Sequence, residues 1–407
     1  MNMNSSREHA PRAARGSSAK AAALAFAMLA FVCGQQPAEA DSKAQAKRIF
    51  DRLTGTPPDS TQLADLEAAL TPASTQATRA NAAYALLSST DAKDFYSVTL
   101  KNFATPWTNR DQTAFAPLND YTAIVIGTVR DNRDFRGILS DDVLYVGPGG
   151  MPSASSNAHY EALEARNANL QAELTLTTQS SVYGLPADAT AGLITSRAAS
   201  EAFFIDGTNR AMFRFTLLNH MCRDMEQMHD TTRPPDRIRQ DVTRSPGGDS
   251  SVFLNNCVGC HSGMDPMAQA FAYYDFDENA AGGPRLVYTP GVVQPKYLIN
   301  SDNFKPGFVT PNDAWENRWR LPGQNKETVG WDLTRPGRGN GAKSLGDELG
   351  HSDAFAECQV DKVFRTICFR TPSTGDESQF DAITQGFKSN GNLKRVFAEV
   401  AAHCAGQ

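Results

Sequence analysis

Apolar side chains recur at intervals of three and four over much of the chain, the spacing of helices with one buried face. Ala46, Ile49, Phe50 and Leu53 form one stripe over 42–53, stopped by Gly55 and Pro57-Pro58. Leu63, Leu66 and Leu70 predict a second helix over 61–70, the Ala-rich stretch 75–87 a third, and 91–103 a fourth closed by Pro106. The period is then lost. Pro106, Pro117 and the Gly147-Pro148-Gly149-Gly150 run predict long ordered loops over 104–155, with the β-branched patch 122–126 as a short strand or helix. Helical spacing returns at 157–174, 186–204 and 208–228, the last strongly amphipathic and followed by Pro234-Pro235. Residues 283–342 are rich in Gly, Pro, Asn and aromatics, including Trp315, Trp319 and Trp331, and read as extended loop. Helices are expected again at 344–369, 379–389 and 392–403. The pattern is that of a mainly α protein without internal repeats.

The first forty residues follow a different logic. Arg7, Arg12, Arg15 and Lys20 precede twelve apolar residues, 21–32, and Ala38-Glu39-Ala40 offers a small-x-small cleavage site. This is the layout of a signal peptide, too short in its apolar run to span a bilayer comfortably. Composition is that of a folded protein: 41% hydrophobic and 21% charged residues exclude a disordered chain or a rod. The net charge of −6 becomes −8 without residues 1–40, so no basic field invites nucleic acid. No later stretch reaches the eighteen apolar residues of a membrane span.

Cys257-Val258-Gly259-Cys260-His261 is a C-x-x-C-H run, the attachment pattern of c-type haem. Two thiols three positions apart on one helical turn reach the two vinyl groups of a porphyrin, and the imidazole that follows becomes the proximal iron ligand. A thioredoxin-like pair would want a βαβ context and a zinc site a second ligand pair; the sequence offers neither. The iron's sixth position is open in the sequence. The last methionine is Met267, and Met264 and Met267 follow His261 too closely to pass around to the opposite face. Upstream, the amphipathic helix offers His220, Met221, Met225, Met228 and His229, with Met221, Met225 and Met228 repeating at i, i+4, i+7; downstream, His351 and His403 remain, and a vacant or water-bound site is the alternative. Four further cysteines follow the leader: Cys222, Cys358, Cys368 and Cys404. An even number in an oxidising compartment predicts two disulfides. If Cys358 and Cys368 share one helix they stand about 15 Å apart, beyond disulfide reach, so each pairs with Cys222 or Cys404. The run Gly337 to Ser344 lacks the second glycine of a phosphate loop. Asp275, Asp277 and Asn279 lack the Gly and Glu of a calcium loop.

Cys257 to Asp277 resembles the C-x-x-C-H-x-x-x-D-P segment, with its following aromatic-Asp stretch, of large periplasmic cytochrome-c-like proteins. Arg52-Leu53-Thr54-Gly55 with Pro57-Pro58 is similar to their N-terminal helix end, and Ser352 to Arg370 to their Phe-x-x-Cys helix. A histidine some of them carry shortly before the haem cysteines has no counterpart in 245–256. The resemblance implies haem binding and electron transfer. The expected organisation is a signal peptide (1–40), a helical N-terminal region (41–245) and a cytochrome-c-like haem-binding region with long loops (246–407). Cys257 and Cys260 would form thioethers to one haem c, His261 would ligate iron, and Phe253, Phe271 and Tyr273 would wall the group. Asp265-Pro266 would cap and start the next helix. The expected role is single-electron transfer with redox partner proteins in the periplasm. The alternatives are a peroxidase- or oxygenase-like haem enzyme with an open distal site, or a haem subunit of a larger membrane-associated complex. Chain expressed with export in a bacterial host is expected to begin at Asp41, and intact mass checks this.

Overall fold

In the computed structural model, residues 41–70, 75–205, 207–299 and 307–406 are described, so the signal-peptide reading of 1–40 lies outside the described residues. Helices of ten residues or more are numbered here. The first, α1 (Ser42–Thr54), opens where the Asp41 carboxylate accepts the Ala44 N–H and closes where Gly55 takes a left-handed φ of 74°. It is followed by α2 (Ser60–Leu70) and α3 (Gln76–Ser88), as the apolar stripes require. The remainder are α4 (Asp120–Arg130), α5 (Arg210–Met221), α6 (Val258–Ala268), α7 (Gly341–Gly350), α8 (Asp353–Cys368), α9 (Glu377–Asn390) and α10 (Leu393–Ala405).

The C-terminal helix lies at the centre of the core. Leu393, Val396, Phe397, Val400, Ala401 and Cys404 of α10 are all buried, and the helix packs against α3, α8 and α1. Phe397 takes the edges of Phe95 and Phe103 at ring-centre distances of 5.0 and 5.3 Å. Arg79 of α3 donates to the Ala402 carbonyl at 3.0 Å. Residues from Asp41 onward form one compact unit. Among the described residues, the strands make three short antiparallel pairs: β1 (Leu144–Val146) with β2 (Thr175–Thr177), β3 (Tyr274–Asp277) with β4 (Arg285–Tyr288), and β5 (Ala314–Glu316) with β6 (Arg338–Asn340). The last two pairs bring order to the stretch read as extended loop, and place Asp275 and Asp277 on a strand.

Several expectations are corrected by tertiary context. The β-branched patch lies inside α4, which is buried on every side from Asp120 to Val129; packing all round overrides its strand propensity. Asp120 is tolerated there because its carboxylate accepts the N–H groups of Arg197 and Ala198, at the start of the short helix Arg197–Phe203. The helix expected over 91–103 begins as a 3₁₀ turn (Thr90–Ala92) and a π turn (Phe95–Thr99). The stretch 186–204 is helical only in the 3₁₀ turn Gly192–Thr195 and in Arg197–Phe203. The stretch 344–369 divides into α7 and α8 because the Ser352 hydroxyl accepts the Phe355 N–H and starts a new helix. The amphipathic helix expected to reach Met228 stops at Met221: Cys222 turns left-handed, with φ 51°.

Cys222 bonds to Cys358, and Cys368 to Cys404. Cys358 and Cys368 do share α8, so the geometric exclusion was sound, and the structure resolves the choice it left open. Non-reducing peptide mapping is expected to recover these two pairs. Replacing Cys368 and Cys404 together by alanine, which opens a 36-residue loop, is expected to lower unfolding free energy by about 3–4 kcal/mol in denaturant titrations.

Candidate haem-attachment site

The C-x-x-C-H run straddles a change of helical pitch. Phe253–Cys257 forms a π turn that passes directly into α6, a distortion common at functional sites. Among the described residues, Cys257 and Cys260 are the free cysteines, both half-buried. Cys257 packs beside Ile238, Phe253 and Val258. The Cys260 thiol donates to the Met225 carbonyl at 3.4 Å. Burial pushes the Cys260 thiol pKa up, helped by the acidic Glu226, by Cys257 and by Asp224. A raised pKa makes the Cys260 thiol a weaker free nucleophile. Among the described residues, no three His, Cys, Asp or Glu side chains are grouped to hold a metal ion. A haem iron asks for less, because the porphyrin supplies four of its ligands.

His261 is 21% exposed, and its Nδ1 lies 3.1 Å from Asp265 Oδ1. Residues four apart on a helix share a face, which is what brings the two together. Asp265 is fully buried. Its Oδ1 accepts Arg210 Nε at 2.7 Å, and its Oδ2 accepts Arg210 Nη2 at 2.8 Å and the Arg239 backbone N–H at 3.1 Å. Burial opposes its charge, but Arg210 and Arg239 outweigh burial and hold the carboxyl well below the usual carboxylate range. An ionised carboxylate can only accept, so Nδ1 carries the proton and the Nε2 lone pair is left for a metal. Arg210 extends the network to Asp241, whose Oδ1 accepts Nη2 at 2.9 Å. Arg239, fully buried, lies over the Tyr297 ring at 4.4 Å and donates to the Thr208 hydroxyl at 2.9 Å.

The opposite side of α6 is glycine. A Cβ on Gly259 would lie 2.3 Å from His229 Nε2, and one on Gly263 would lie 1.9 Å from Trp319 Nε1. These two positions allow the segment after α5 and the buried Trp319 to close directly on the helix backbone, and Asp230 N–H donates to the Gly259 carbonyl at 2.9 Å.

Asp265-Pro266 does not start a helix, contrary to the sequence reading. Both residues lie inside α6, with Pro266 in its last turn; the loss of one N–H there is tolerated, and the Asp265 carboxylate serves His261 and Arg210 instead of a helix end. Of the expected walls, Phe253 lies in the small cluster beside Cys257. Phe271 packs edge-on against Phe204 at 5.4 Å, and Tyr273 joins Ala272 and Tyr297 in a separate cluster. The distal candidates separate similarly. Met225 is brought to Cys260 through its carbonyl. Met228 is fully buried in the main core. His220 is buried with Nε2 2.7 Å from the Tyr121 hydroxyl, among Trp107 and Phe355; burial depresses its pKa. His351 bonds the Asp347 carbonyl at 2.9 Å through Nδ1 and lines a cavity of about 280 Å³ with Trp331 and Lys388. Arg210, Asp241 and Arg239 were not found by sequence reasoning. Asp265 had a usable signal in its spacing of four from His261, masked by the proline after it.

Comparison of the chain with protein-family models, curated proteins and solved structures gives no match. Replacing Gly263 by alanine is expected to cost about 1–3 kcal/mol, because Trp319 is fully buried and has nowhere to retreat. Chemical denaturation checks this, and Gly386→Ala, at a position whose Cβ would meet nothing within 4 Å, serves as the control.

Proposed function

We propose that the chain is a monohaem c-type cytochrome that passes single electrons between redox partners outside the cytoplasm. The observation that carries this reading is the pairing of two unbonded thiols, one helical turn apart, with a histidine whose Nδ1 proton is committed to Asp265. The four remaining cysteines beyond residue 40 form disulfides, so the C-x-x-C-H thiols are the pair left for attachment. Each thiol would add its S–H across a vinyl group, the S–H bond and the C=C π bond breaking as a C–S and a C–H bond form, with no leaving group and no oxidant needed. His261 Nε2 would hold the iron from one face. The group supplies a centre that gains and loses one electron. The protein supplies the covalent tether, the fixed tautomer and the low-dielectric surround set by buried α6. Disulfides are consistent with an oxidising compartment, and among the described residues no helix is long and apolar enough to cross a membrane.

A second reading, an enzyme with an open sixth position, is favoured by one observation: His220, a candidate sixth ligand, is buried with its Nε2 held by the Tyr121 hydroxyl. Two measurements decide. Protein exported in a host able to attach haem is expected to give a one-haem pyridine haemochrome and a matching mass increase. Cys257→Ala/Cys260→Ala is expected to lose both. A wild-type protein of unmodified mass overturns the proposal. Carbon monoxide added to the reduced protein then separates the roles, since a six-coordinate carrier resists it and an open site takes it up rapidly.

A further inference from the structure

The Asp265 network has a property that attachment alone does not require. One carboxylate oxygen, Oδ1, is shared between His261 Nδ1 at 3.1 Å and Arg210 Nε at 2.7 Å. The guanidinium has the shorter bond, and it also holds Oδ2 at 2.8 Å. A second carboxylate, Asp241, takes the other edge of the same guanidinium, and Arg239 contributes a backbone N–H. Asp265, Asp241, Arg210 and Arg239 together carry no net charge. What varies is how much of the Asp265 negative charge is directed at the imidazole. A carboxylate that draws the Nδ1 proton makes Nε2 a more basic ligand and favours the oxidised metal. A guanidinium competing for the same oxygen restrains that pull.

Resting on the haem reading above, we propose that Asp265 and Arg210 act as an opposed pair that sets the reduction potential of the centre held by His261. Both are positioning residues: Asp265 pushes toward the oxidised state, and Arg210 moderates the push.

The test is the midpoint potential of the holoprotein, by spectroelectrochemistry, in wild type, Asp265→Asn and Arg210→Lys. Covalent haem content is measured first by mass. Asp265→Asn removes the charge and keeps the shape, so its midpoint rises; at the wild-type midpoint the reduced-to-oxidised ratio is expected to increase about tenfold, equivalent to about 59 mV. Arg210→Lys keeps the charge but loses the two-pronged grip on the carboxylate, freeing Oδ1 for His261, so its midpoint falls. A merely structural role would not move the two variants in opposite directions. Shifts of the same sign, or none, in variants that each carry one haem overturn the proposal. Should either variant fail to accumulate, the wild-type protein decides: its His261 Nδ1 proton is expected to resist exchange with deuterated solvent, and fast exchange overturns the proposal. Wild type without covalent haem overturns the underlying reading instead, and is recognised before any potential is measured.

Discussion

A carboxylate with no solvent exposure must be compensated from within, and in this protein that requirement organises the site. Asp265 draws a guanidinium from α5, a backbone N–H from the segment after Pro235, and the imidazole of its own helix to one point. An unpaired charge at that depth would cost several kcal/mol. The three elements are therefore tied into a common position, and the histidine inherits its orientation from the same contacts. The glycines on the other face of α6 complete the arrangement, since the helix can be gripped on the His261 side only because its back lies flush against His229 and Trp319.

The sequence made some of this legible and concealed the rest for identifiable reasons. The helices α1 to α3, α8 and α9 follow from their apolar spacing because each keeps an exposed side, and α10, which has no exposed residue, still carries the three-and-four rhythm of Leu393, Val396, Phe397, Val400 and Ala401. The helix α4 was ambiguous because burial on all sides erases the amphipathic signal and leaves β-branched residues that suggest strand. The end of α5 was overrun because Met225 and Met228 continue the apolar rhythm, although they reach the core from a turn after Cys222 has reversed the backbone.

For the site, the contrast is between local and distant information. Cys257, Cys260 and His261 are contiguous, and their chemistry was readable as a motif. The relation of His261 to Asp265 was also local, but Pro266 suggested a helix start, whereas the proline occupies the last turn of a helix already under way. Arg210 and Arg239 lie 55 and 26 positions upstream of Asp265, with Asp241 close after Arg239, in a chain with many charged residues, and spacing carries no trace of their convergence. The disulfides fall between these cases: one helix length excluded a pairing, and only the tertiary arrangement chose between those that remained.

The position of α10 has a consequence for the order of events during biogenesis. The faces of α1 and α3 are completed by residues near 400, more than three hundred positions later in the chain. A polypeptide emerging from its amino end therefore cannot close its central core until almost all of it has been delivered. Early segments must wait, open and apolar, for the last to arrive. Such an architecture makes the final helix the clasp that converts a delivered strand of residues into a closed body.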